Sequence, residues 1–132
     1  MDTFYAQILT PEGSIFEGDV TGVKMPGSLG SFEVKQNHAN LVSSLDIGEI
    51  RVRKAEGDDQ YIAVAGGFVE VNNNKLTLLA EIAEPAADID VERAEKAIEN
   101  ATHKLQEKKS DRLHLETSLR KAKNRIKVAN RL

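Results

Sequence analysis

The chain has 132 residues, enough for one ordinary domain or a smaller domain with an appendage. Its 40% hydrophobic and 30% charged residues exclude collagen-like, mucin-like and wholly disordered classes. The net charge of −3 argues against bulk nucleic-acid binding, and the absence of cysteine removes disulfides and thiolate metal sites.

Residues 1–87 carry 6 Lys+Arg against 13 Asp+Glu, whereas residues 88–132 carry 12 against 8. All aromatic residues, glycines and prolines lie in the first part. The change in material falls at Glu84–Asp88, punctuated by Pro85, and predicts domains at 1–86 and 87–132. The first part reads as all-β, with alternating runs at Thr3–Thr10, Ile15–Met25, Phe32–Lys35, Leu41–Ser44, Gly48–Lys54, Gln60–Ala65, Gly67–Val71 and Lys75–Ala83. Turn chemistry separates them at Pro11-Glu12-Gly13, Pro26-Gly27-Ser28, Glu56–Asp59 and Asn72-Asn73-Asn74. Glu49-Ile50-Arg51-Val52-Arg53 alternates cleanly, one face wet and one buried, so a β-sandwich with a modest core is expected.

The second part reads as an α-helical hairpin of two antiparallel helices. Asp88 or Asp90 suits the first N-cap, and Ser110 or Asp111 the second, after a break at Lys108–Asp111. Ala94, Ala97/Ile98, Ala101 and Leu105 form one stripe; Leu115, Leu119, Ala122, Ile126 and Ala129 form a heptad-like seam on the other helix. Alanine stripes bury little area, so the hairpin needs a dock on its own sandwich or on a partner. A weakly committed element of this kind is a candidate switch.

Enzyme chemistry is hard to find in this chain, and no catalytic residue is assigned. His103 and His114 are placed to face each other across the hairpin, but zinc takes three or four protein ligands, so they read as solvated helix residues and no metal site is expected. Gly66-Gly67 leads into a strand rather than a helix, which suits a bulge or close backbone contact rather than a phosphate loop. More informative is the run of six cations, Arg120, Lys121, Lys123, Arg125, Lys127 and Arg131, uninterrupted by any carboxylate. Most such runs are solvated faces; this one is one-sided and lies beside an apolar seam, which favours an anionic partner. With no aromatic nearby to stack on bases, an acidic protein surface or a nucleotide phosphate fits at least as well as nucleic acid.

Four segments carry a resemblance along the whole chain: Gly30–Leu41 (GSFEVKQNHANL), Tyr61–Val71 (YIAVAGGFVEV), Lys75–Ala80 (KLTLLA) and Asp88–Ala94 (DIDVERA). They make it similar to the epsilon-subunit family of F-type, proton-translocating ATP synthases. The resemblance implies a non-catalytic rotor subunit whose sandwich binds the gamma subunit and the c-ring. The hairpin then either folds on the sandwich or extends into the alpha/beta catalytic head and obstructs hydrolysis. It also implies a peripheral position on the cytoplasmic face of the plasma (inner) membrane. Consistent with that placement, no apolar run approaches the roughly 18 residues of a membrane span, and the N-terminus lacks a secretory leader's basic and apolar regions. Readings from other classes are a free-standing nucleotide-sensing module and a basic-helix adaptor for RNA or an anionic membrane.

No cofactor is required, but ATP is a possible regulatory ligand. Family members that bind it carry the Ile-Asp-x-x-Arg-Ala block, here Ile89, Asp90, Arg93 and Ala94, with an upstream acid matched by Glu84. Lys121 and Arg125 fall where ATP-binding relatives have arginines; Lys121 offers a point charge in place of a planar fork. Asp90 would accept from the adenine amino group or order the helix start, and Arg93 would meet phosphate; a plain helix cap and a solvated arginine are the structural alternative. A c-ring contact loop is implied around Ser31, Glu33, Lys35 and His38. The family's prolines flanking this histidine are replaced by Gln36 and Asn40, which predicts a less rigid loop, and Ser31 stands where an acid is frequent. Bottom-up, His38 fits equally well a histidine that orders its own loop through backbone hydrogen bonds.

Overall fold

A computed structural model describes residues 2–107 and 111–132. Seven strands come first: β1 (Phe4–Thr10), β2 (Gly13–Gly27), β3 (Gly30–Lys35), β4 (Leu41–Leu45), β5 (Gly48–Lys54), β6 (Gln60–Asn72) and β7 (Lys75–Pro85). A 3-10 turn at Ala86–Asp88 leads into α1 (Val91–Gln106), and α2 (Arg112–Ala129) follows.

The strands form a sandwich whose edges are closed by pairing. Hydrogen bonds run from β1 to β2, β5, β6 and β7 in turn, and a parallel pair returns from β7 to β1. Alternation drives this closure: Ile8, Met25, Ile50, Ile62, Leu76 and Leu78 are fully buried between the layers. The separate strands expected at Gln60–Ala65 and Gly67–Val71 are one, β6, bent at Gly66 (φ +82°) and Gly67 (φ +129°). A Cβ at Gly67 would overlap the Leu79 carbonyl oxygen, so the pair marks a close backbone approach. Pro26 and Gly27, expected in a turn, instead end β2, and the reversal falls on the two residues after them.

Asp90, rather than Asp88, caps α1, its Oδ1 accepting from Arg93 N at 3.0 Å. Asp111 caps α2, accepting from His114 N at 3.2 Å. Lys108 and Ser110, the other residues named for the break and the second cap, lie outside the described residues. On α1, Ala94 and Ala101 are buried as expected, but Ala97 is exposed. On α2, Leu115 and Ala122 hold the seam, while the last buried position is Val128 and not Ala129. The seam's heptad drift gives way there because α2 turns its final turn to the sandwich: Val128 packs with Ala63, Ala86 and Ile89, apart from the sandwich core. The hairpin is therefore docked through α2, with α1 outermost against it.

Candidate functional site

The site lies where the basic end of α2 meets the acidic sandwich. Arg125 presents one guanidinium edge to Glu84: Nε lies 2.7 Å from Oε1, and Nη2 donates to Oε2 at 3.1 Å. The Nε–H does not point along its short contact and is buried without a hydrogen-bond acceptor. Arg131 Nε donates to Glu49 at 2.9 Å, which raises the arginine's pKa further, and its guanidinium stands 5.5 Å from the Tyr61 ring centroid. Arg120 reaches Asp46 at 3.4 Å, with both side chains more than half exposed. Between these pairs Asn124 Nδ2 donates to Gly48 O at 2.7 Å.

Three of the six cations are thus matched to sandwich carboxylates, which offsets repulsion within the basic run in the docked state. Asp46, Glu49 and Glu84 supply the counter-charge from within the chain. Lys121, Lys123 and Lys127 have no carboxylate within 4 Å among the described residues. Sequence reasoning did not single out Asp46, Glu49, Asn124 or Val128. The wet face of β5 was the available signal: Glu49 lies on it, yet only 16% of its side chain is exposed because Arg131 covers it.

The residues tied to ATP fall into three groups. Glu84 lines two hollows that share Ile82: one of about 220 Å³ with Lys121 and Arg125, and one of about 830 Å³ with Arg93. Asp90 serves as the helix cap, exposed. Ile89 and Ala94 are buried in packing, so they can hold the helix start but cannot offer side chains to a ligand.

The four residues assigned to one loop do not share one. Ser31, Glu33 and Lys35 stand on the same face of β3, Ser31 near α2. Glu33 is held by Arg53 at 3.1 Å, across Gly22, whose missing side chain leaves room for that contact. His38 lies beyond the far end of the strand, its Nδ1 2.8 Å from Ala39 O. The turn there is laced to the next one: Asn37 N donates to Asn74 Oδ1 at 2.7 Å, and Asn73 N donates to Asn40 Oδ1 at 3.1 Å. Asn40 thus supplies by hydrogen bonding some of the restraint expected to be missing with proline.

His103 is exposed and lies 3.1 Å from Glu107, and His114 is exposed on α2. No group of three or more potential metal ligands converges among the described residues. On the outer face of β4, β6 and β7, Phe68 and Leu79 are exposed opposite each other, with exposed Val42 diagonally across on β4, an apolar strip of the kind found at protein contacts.

Two family models match the chain: the ATP synthase delta/epsilon chain beta-sandwich domain over residues 3–86, and its long alpha-helix domain over 87–130. The chain is 42% identical over 134 residues to the ATP synthase epsilon chain of Halalkalibacterium halodurans, covering 99% of this chain and 100% of that one. It is 43% identical over 115 residues to the epsilon chain of Salinibacter ruber, covering 80% and 76%. Among solved structures, a chain of the Euglena gracilis mitochondrial ATP synthase OSCP/F1/c-ring assembly shares the fold, with a TM-score of 0.83 at 23% identity over 94% of this chain and 79% of that one.

Proposed function

We propose a function from one premise: this chain belongs to the ATP synthase delta/epsilon family, whose two models match residues 3–86 and 87–130. It acts as a non-catalytic central-stalk subunit of the synthase, carrying rotation between the c-ring and the catalytic head beside the gamma subunit. It is held peripherally at the cytoplasmic face of the membrane through the complex. The apolar strip of Val42, Phe68 and Leu79 supplies a face of the chemistry that a stalk partner would cover.

The hairpin regulates hydrolysis by moving between this docked state and an extended one in which α2 meets acidic segments of the alpha/beta head. One observation carries the reading: α2 is held to the sandwich by arginine–carboxylate pairs and a single small apolar cluster. Such a contact is specific in register yet shallow in burial, and an acidic partner offers α2 the same chemistry. ATP favours the docked state by binding across the two hollows that meet at Glu84. Phosphates would lie toward Arg93, Lys121 and Arg125. Asp90 orders the start of α1 while Ile89 and Ala94 anchor it.

The experiment is deletion of residues 88–132 followed by measurement of hydrolysis by the assembled synthase at low ATP. Activity rises if the hairpin inhibits. Unchanged activity in a normally assembled complex overturns the inhibitory role.

A further inference from the structure

A different hollow, of about 390 Å³, opens on the other flank of Asn124, between the C-terminal turns of α2 and the strands β2 and β5. Four cations line it: Lys24, Arg51, Lys127 and Arg131, against a single lining carboxylate, Glu49. Its volume is in the roughly 300–1,000 Å³ range of small-ligand sites. The charge imbalance follows from the sheet register. Lys24 stands opposite Glu33 on one side and Arg51 on the other. Arg53 draws the Glu33 carboxylate away across Gly22, at 3.1 Å. Lys24 is left facing a like charge, an arrangement that destabilises a sheet unless something neutralises it.

The two arginines are partly satisfied. Arg51 lies 2.7 Å from Asp59, and Arg131 lies 2.9 Å from Glu49. Both flank the Tyr61 ring, at 5.6 and 5.5 Å from its centroid. Lys24 and Lys127 have no carboxylate within 4 Å among the described residues, and they approach the hollow from opposite elements. The last carbonyls of α2 are occupied by Asn130, Arg131 and Leu132 N–H groups, which moderates the negative helix end beside it.

We propose that this hollow binds a small phosphate-bearing anion between Lys24 and Lys127, with Arg51 and Arg131 as its inner wall. Such a ligand bridges α2 to the sandwich and favours the docked hairpin, because undocking takes two of the four cations away. The site uses none of the residues assigned to ATP, so it stands or falls separately from that reading. The shared chemistry is the phosphate group, whether free in solution or on a lipid headgroup.

The test is isothermal titration of the full chain with pyrophosphate at low salt, using the wild type, the Lys24→Ala/Lys127→Ala double variant and Lys123→Ala, an exposed α2 lysine that lines neither this hollow nor the one beside Glu84 and Arg125. Both lysines are exposed, and melting curves check that the double variant folds. Pyrophosphate binding falls at least about tenfold in the double variant and is unchanged by Lys123→Ala. Co-sedimentation with phosphatidylglycerol/phosphatidylcholine vesicles identifies the source: loss of vesicle binding in the double variant, with no pyrophosphate heat in the wild type, assigns the site to a headgroup. Equal pyrophosphate and vesicle binding by wild type and double variant, absence of both in the wild type, or an equal loss with Lys123→Ala overturns the proposal.

Discussion

Val128→Ala isolates hairpin docking from sandwich stability. Val128 is fully buried and packs on Ala63, Ala86 and Ile89, in a cluster that shares no residue with the sandwich core. Removing two buried carbons forfeits about 1.6 kcal/mol at roughly 0.8 kcal/mol each, and incomplete collapse of the space brings the loss to about 2 kcal/mol. That shifts the docked population about 30-fold toward release. Arg120→Ala serves as a comparison, since an exposed pair with Asp46 at 3.4 Å is worth only a few tenths of a kcal/mol. Amide hydrogen exchange reads both effects. The α2 amides exchange faster in Val128→Ala by about that factor, those of β6 and β7 keep their protection, and Arg120→Ala changes little. Unchanged α2 exchange, or an equal loss of protection in the sandwich, would refute the separation of the two clusters.

Gly67→Ala destabilises the sandwich by more than about 2 kcal/mol, because a side chain at φ +129° is strained and its Cβ overlaps the Leu79 carbonyl; thermal melting of the full chain checks this. Arg93→Ala weakens ATP binding by about tenfold or more in isothermal titration if its guanidinium meets phosphate, as expected for a charge-assisted hydrogen bond worth about 1.5–3 kcal/mol. Wild-type affinity in that variant would leave Arg93 a solvated helix residue.

Strands and helices were legible because their periods are local. The alternation Glu49 to Arg53 is β5 itself, and the Asp-x-x-Arg spacing at Asp90 is a working N-cap. The parallel pairing of β1 with β7 was not legible, since it joins Tyr5 to Lys75 across almost the whole sandwich sequence and leaves no local signature. Val128 was missed for a related reason: a heptad seam describes one helix against another, and says nothing about a third surface that claims the last turn. Ser31 and His38 stand apart because closeness in sequence along an extended strand is not closeness in space. Successive residues advance about 3.3 Å, so Ser31 and Lys35 already stand about 13 Å apart.

The charge asymmetry, visible in the sequence as an acidic first part and a basic end, acquires a meaning only in the docked geometry. Taken alone, six cations on and just after α2 suggest attraction to an external anion. In the structure half of them are occupied by Asp46, Glu49 and Glu84, which makes the sandwich the first competitor for α2. Any acidic partner must therefore bind the hairpin more tightly than the sandwich does, and the pull on the switch equals only the difference. Shallow burial around Val128 keeps that difference within reach of modest ligands. Arginine–carboxylate geometry at Glu84 and Glu49 fixes the register of the docked helix. A deeper apolar seam would hold the hairpin more tightly to the sandwich. The combination of one small buried cluster with directional ion pairs is the kind of contact that the proposed movement between docked and extended states requires.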